Sequence, residues 1–563
     1  MFISIDVTSN LNTIRTITGC YARPSMPSLL LSFIAAIGAL QGSQSQPSTD
    51  ARSDGGILSW RGTFETGKPA CSSSEIAAWS PRAKRLYVCG GPSGILRLDC
   101  TDVAKPQLDR QYEIASITSV ATHDGLVAAC RGGAKQGEAG EVLLFDLDLK
   151  LIGRVAVGHG PDMLCFTPDG SRLLVANEGE PVPGGIDPSG SVSIIDLSKG
   201  PAHARCTEVN FLCAPFTADA LQRRGVVLPH TDRSVDQQLE PEFITVEPSG
   251  KRAWVTLQEN NAIAAIDLNA GRMLDIFPLG TQAFSAPGGG LDPSDKDGGP
   301  RIQPWPVEGL LQPDSIGCFS VGDSVFLVTA NEGESLAGNT TRVKDLTHRS
   351  DRTKASLDAT AFPADAAAGL HDSRRVLASE GLGRLEVCPL LGDDDGDGDY
   401  DRLVCFGGRS IALWKVGGSD SAPTIDRVWD SGSALEQELL KALPNAFNAD
   451  SEESPSVDKR SAKRGPEPEG LTIVEHDGRR LVFVGLERPG GVMAWDISDP
   501  AAPSFAGYCN RRDPDAPIAR AGDLAPEGLC EIPASSSPTG EPILVVCNEF
   551  SGTVSLFAIE TKR

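Results

Sequence analysis

Histidine is scarce, seven in 563 residues, with no HxH or HxxxH pair. A histidine-built zinc centre is therefore not the organising chemistry. The chain also has no CxxC, no GxSxG and no GxxxxGK[ST]. Those absences remove thioredoxin-like redox chemistry, the nucleophile elbow of the α/β-hydrolases and P-loop nucleotide hydrolysis. Positive charge is in deficit: 51 Lys and Arg stand against 75 Asp and Glu, a net charge of −24. That balance disfavours nucleic acid and anionic membrane as partners and favours cations or basic surfaces. Long apolar runs are missing too. The one candidate is the 12-residue stretch 29–40 (LLLSFIAAIGAL), too short to cross a bilayer. Arg15 and Arg23 precede it and Gly42-Ser43 follow, so residues 1–43 read as a secretory signal peptide, with Met26 as an alternative start. Residues 44–56 read as a polar linker, and the terminal ETKR gives no apolar anchor.

What the chain has instead is a repeated pair of carboxylates. A Pro followed by an acid opens an apolar run; a turn and a second apolar run follow, ending in Asn-Glu or a near variant. The copies are Pro161-Asp162 with Glu178, Pro241-Glu242 with Glu259, Pro313-Asp314 with Glu332, Pro468-Glu469 with Glu487, and Pro526-Glu527 with Glu549. The Pro-to-Glu separations are 17, 18, 19, 19 and 23 residues. Self-similarity at a near-constant period is the signature of a repeat architecture.

Strand, turn, strand, loop, strand is an antiparallel meander. In such a pairing the start of the first strand lies beside the end of the second. Asp162 and Glu178 are thus expected at one edge of one small sheet. A sheet of that size is not stable alone, so the repeats must pack on one another. The expected fold is all-β: a seven-bladed β-propeller over residues 57–563, with insertions near 200–239, 283–306, 333–391 and 433–466. The first two blades, from 75 and 114, carry weaker copies of the motif, and the strand at 57–65 is expected to complete the last blade. The ten acids then form a carboxylate ring that requires cations or arginines to offset their repulsion. Arg409 and Arg488 are candidate anion contacts or, alternatively, neutralise that ring. Lys459, Arg460, Lys463 and Arg464 read as a basic, solvated loop.

A second acidic feature is DDDGDGDYD at 393–401. Asp393, Asp395, Asp397, Asp399 and Asp401 fall at positions 1, 3, 5, 7 and 9 of a calcium loop, with Gly398 at position 6. Alternating carboxylates around a sharp turn suit the oxygen-rich shell of Ca²⁺. Position 12 is Val404 rather than a bidentate Glu, so this is not an EF-hand. Fourteen cysteines fit an oxidising compartment. Cys206 and Cys213 are the expected disulfide, whereas Cys165, Cys405 and Cys547 sit in strand patterns and read as buried thiols. Asn339-Thr340-Thr341 is a glycosylation sequon.

Several strings occur together and in order: PDMLCFTPDGSRLLVANEGEP, VTLQENNAIAAID, GLDPSDKDG, DGDGDYDRLVCFGGRSIALW, VGLERPGGVMAWD and CNEFSGTVSLF. They resemble the choice-of-anchor I family of bacterial surface proteins and the mesenchyme-specific cell-surface glycoproteins of biomineralising animals. The resemblance implies a secreted or surface-attached propeller associated with calcified matrix, and brings no established reaction. Glu334 departs from the Asp expected there. The combined expectation is a monomeric, extracellular calcium-binding protein with matrix or cell-surface partners, no nucleic acid and no transmembrane span. The alternative is a metal-dependent phosphoesterase of the alkaline-phosphatase or phytase-like propeller kind, using the carboxylate face.

Overall fold

The computed structural model describes residues 52–560 apart from 55, 183–184, 213–215, 348–353 and 355. The expected signal peptide and most of the expected linker lie outside the described residues. Among the described residues, seven antiparallel sheets, each with a four-stranded core, succeed one another. Their first strands are Ala77–Ser80, Ile117–His123, Pro161–Phe166, Pro241–Val246, Ile316–Val321, Pro468–His476 and Pro526–Ile532. Each first strand contacts the first strand of the next sheet, and the seventh contacts the first, which closes the cycle. The fold is a β-propeller.

The reason lies in the period of a strand. Successive side chains point to opposite faces, so a strand apolar at every position can serve two neighbours. Leu86 and Val88 pack against the seventh sheet, whereas Tyr87 and Cys89 pack against the second. The same division repeats around the cycle, and each of the seven junctions holds one apolar cluster. Closure comes from the N-terminal side: Leu58–Glu65 pairs with Thr553–Ile559 as the outer strand of the seventh sheet. Arg52–Asp54 adds an edge strand to the sixth.

The insertions depart from the sequence reading in two places. Residues 205–210, expected inside an insertion, form the outer strand Arg205–Asn210 of the third sheet, paired residue for residue with Ser191–Asp196. Only Val209 of this strand is buried, and its other residues face solvent, as an outer strand allows. Residues 402–416, placed within a blade by the expected insertion bounds 333–391 and 433–466, are divided. Val404–Cys405 joins an extra five-stranded sheet with Thr281–Ala283, Glu308–Leu310, Thr341–Arg342 and Glu386–Val387, and only Ser410–Ser419 returns to the blade. The two long insertions therefore fold together over their own apolar cluster around Trp305, Phe284 and Tyr400. Helices are short, Ala218–Arg224 and Ala434–Ala442 being the longest, and among the described residues none is long and apolar enough to cross a membrane.

Candidate metal centre

The repeat places its carboxylates by register. Pro161 pairs with Asn177, Pro241 with Leu257, Pro468 with Leu486 and Pro526 with Asn548. In all four the register slips within the next three residues of the first strand. Such a bulge re-aims the side chain beside it. The acid after each Pro and the Glu just beyond the second strand therefore share one edge of their sheet. The Asn before that Glu has a different task. Asn177 is buried and donates to Ser191 and Ser193, as Asn331 does to Ser410 and Asn548 to Thr553, which fixes the turn into the third strand.

The structure brings the ten acids into one connected electrostatic set. Glu178 is influenced by Asp162, Glu242 and Glu259, and Glu259 by Asp314. Glu332 is influenced by Asp314 and Glu487, Glu469 by Glu332 and Glu527, and Glu487 by Glu549. Two junctions tighten into trios of the same make, two acids from one sheet and the opening acid of the next. Asp162, Glu178 and Glu242 have carboxylate oxygens all within 4.8 Å of one another, and so do Asp314, Glu332 and Glu469. Burial pushes Glu178, Glu242, Glu332 and Glu469 well above the usual carboxylate range, and neighbouring acids add to it. Glu259 is pushed up to about 8, first by burial.

The two sides of this face differ in compensation. At the first trio Glu178 and Glu242 hydrogen-bond each other, and the nearby Glu240 is also raised, first by burial and then by Glu259 and Glu178. At the second side three guanidiniums enter. Arg460 grips Glu467 at 2.6 and 2.8 Å, Arg464 meets Glu467 at 2.9 Å and Glu332 at 3.7 Å, and Arg488 reaches Glu487 at 3.0 Å and Glu467 at 3.3 Å. Arg464 also donates to Glu334. These cations hold Glu467 well below its ordinary range although it is fully buried. Arg488 thus takes the neutralising role rather than standing ready for an anion.

Two expectations are corrected here. Arg409 is not on this face: it is 1 % exposed and pairs with Glu436 at 2.7 Å. It also donates to the carbonyls of Asp292, Ser461 and Lys463, so an external anion has no access to it. The basic run at 459–464 is not simply solvated, because Arg460 and Arg464 turn inward as counter-charges. Glu467 and these two arginines are the functional residues that sequence reasoning missed. The signal was the Glu-Pro-Glu at 467–469, a copy of 240–242, with a basic run just ahead of it.

The acidic loop lies in the insertion, next to Val404–Cys405. Asp393, Asp395 and Asp401 have oxygens within 4.8 Å of one another, whereas Asp397 and Asp399 stand outside that group and share a hydrogen bond. The backbone winds around the acids: Gly396 donates to Asp393, Asp397 to Asp395 and Asp394 to Asp401. Buried Tyr400 and the Arg402–Asp394 pair at 2.8 Å pin the loop to its sheet. Among the thiols, burial pushes Cys165 and Cys405 up to about 12 and Cys547 well above its ordinary value, the behaviour of inert core groups. Cys206 is exposed, and Cys213, its expected partner, lies outside the described residues.

A family model, the choice-of-anchor I domain, matches residues 75–500. The chain belongs to the choice-of-anchor I family. The match takes in both trios and the acidic loop. Gigasin-3a of Magallana gigas is 30 % identical over 193 residues, 32 % of this chain and 64 % of that protein. The mesenchyme-specific cell surface glycoprotein of Strongylocentrotus purpuratus is 29 % identical over 327 residues, 52 % of this chain and 40 % of that protein. The chain thus spans less than two thirds of either relative. Among solved structures, the hydrazine synthase of Kuenenia stuttgartiensis aligns with TM-score 0.42 at 11 % identity, covering 88 % of this chain and 98 % of that one. The Cps50 (Swd1) β-propeller domain of Myceliophteria thermophila aligns with TM-score 0.42 at 10 % identity, covering 89 % and 100 %. Likenesses this distant carry no argument, and the fold rests on the sheets themselves.

Proposed function

We infer that this choice-of-anchor I protein is an extracellular or cell-surface propeller that binds calcium and works as a binding component of a matrix or cell surface. The observation that carries the reading is the acidic loop, where Asp393, Asp395 and Asp401 converge on one point with the backbone wrapped around them. All three are oxygen donors, the ligands a hard cation such as Ca²⁺ takes. The net charge of −24 and the name of the Strongylocentrotus purpuratus relative, a cell surface glycoprotein, support the setting. Binding is favoured over phosphoester hydrolysis because Arg460, Arg464 and Arg488, the guanidiniums nearest the carboxylate face, are already held by glutamates.

The test is calcium titration by calorimetry on the secreted protein, with a phosphomonoester assay on the same sample. Saturable calcium binding that weakens in Asp393→Asn and Asp395→Asn, without turnover, is the expected result. Binding unchanged in both variants would remove the loop from the reading. Metal-dependent turnover would replace it with the hydrolase.

A further inference from the structure

We propose that Asp314, Glu332 and Glu469 form a second divalent-cation site, built by the repeat at the junction of the fifth and sixth sheets and separate from the acidic loop. Three carboxylates from two sheets bring oxygens within 4.8 Å of one another, the separation a single oxygen-ligated ion bridges. The cluster alone is not the argument. Glu469 is 8 % exposed, and its Oε2 is buried with no hydrogen-bond partner among the described residues. A buried carboxylate oxygen without a donor is costly, and native structures rarely leave one so. The backbone of Glu469 is held from outside the trio. Its backbone carbonyl accepts from the Ser315 hydroxyl, next to Asp314, which ties the two sheets together at this point.

Glu332 is oriented in the same way. Gln258 of the fourth sheet donates to its Oε2 at 2.7 Å, and Arg464 stands 3.7 Å from its Oε1. Arg464 is committed elsewhere, to Glu467 at 2.9 Å, to Glu334 and to the carbonyl of Gly333. It therefore screens Glu332 without reaching Glu469. The trio Asp162, Glu178 and Glu242 shows what the same register does otherwise, since Glu178 and Glu242 there satisfy each other through a hydrogen bond. At the junction of the fifth and sixth sheets Glu469 Oε2 has no such partner among the described residues, and a divalent ion supplies what it lacks. Donors limited to carboxylate oxygen select Ca²⁺ or Mg²⁺ over softer metals.

The experiment uses the full secreted chain and Ca²⁺, with Mg²⁺ as a second probe, in calorimetric titration and thermal melting. The double variant Asp393→Asn/Asp395→Asn disables the exposed loop at little risk to folding. It should retain one class of calcium binding and a calcium-induced rise in Tm. Adding Glu469→Gln should abolish both, with one fewer ion bound per chain. Glu469→Gln alone should keep the loop site and melt in chelator at or above the parent temperature, because it removes a carboxyl whose ionised form burial disfavours. Two results would overturn the proposal: a loop variant that loses all response to both ions, or Glu469→Gln with unchanged stoichiometry and affinity. The first leaves the loop reading standing; a loop variant that binds like the parent removes that reading and leaves this site standing.

Discussion

Arg460 and Glu467 form a two-point ion pair at 2.6 and 2.8 Å, with side chains 4 % and 0 % exposed. Seven residues apart, they fold the segment before the sixth sheet back onto the carboxylate face. Arg464 and Arg488 close on the same glutamate. One buried anion thus organises three cations, and those cations offset the neighbouring acids Glu332, Glu334 and Glu487.

Glu467→Gln should therefore be among the most damaging single substitutions. It leaves three guanidiniums short of their shared anion, and breaking a buried pair costs about 3–5 kcal/mol. Chemical denaturation should show that loss. Arg460→Gln should cost less, because Arg464 and Arg488 still meet Glu467. Equal, small effects would show that the network is not what holds this face.

Arg409 and Glu436 meet at 2.7 Å with both side chains 1 % exposed. Arg409→Met alone should destabilise by about 3–5 kcal/mol by stranding Glu436, whereas Arg409→Met with Glu436→Leu should recover a large share. The additional bonds of Arg409 to the carbonyls of Asp292, Ser461 and Lys463 limit that recovery. A double-mutant cycle in urea measures both terms. Calcium affinity should stay unchanged throughout.

Stability should fall as pH rises from about 5 to 9 in chelator. Burial raises Glu178, Glu242, Glu332 and Glu469 above the ordinary glutamate value and carries Glu259 to about 8. For a raised acid the folded state holds protons that the unfolded state has already released. The stabilisation is present at the acidic end and is lost as pH climbs through the folded pKa. Glu467, shifted the other way, loses its contribution only as pH falls below this window. Thermal melts across the range should show the decline, Glu259→Gln should flatten it near pH 8, and calcium should reverse it. A profile that rises toward pH 9 in chelator would contradict the assignment.

Gly470→Ala should disrupt the junction of the sixth and seventh sheets. A Cβ there would overlap the carbonyl oxygen of Glu527, the opening acid of the next repeat. Gly528, at the same place in the seventh sheet, faces the carbonyl of Glu75 at 2.5 Å from a built Cβ. These glycines let consecutive inner strands approach closely enough for their acids to share one face. A lower Tm together with weaker calcium binding is expected for Gly470→Ala. An unaltered Tm would mean that the backbone shifts without cost.

The repeat was legible because its signals are local. Pro-acid, a turn and Asn-Glu lie within a span of 17 to 23 residues, and antiparallel pairing alone carries both acids of a copy to one sheet edge. Strand period set which residues face each neighbouring sheet. The calcium-loop spacing at 393–401 was equally visible, although only Asp393, Asp395 and Asp401 converge.

Tertiary structure decided everything that depends on which sheets become neighbours. Nothing local says that Arg464 will stand beside Glu332, 132 positions earlier, or that Gln258 will orient that same glutamate from the fourth sheet. Nor does spacing show that Arg409 is spent in the core. The sequence by itself determined the sheet unit and the sign of the charge on its edge. Ring closure and the inward turn of Arg460 and Arg464 determined which acids are compensated by arginine, because long-range proximity sets desolvation and pairing.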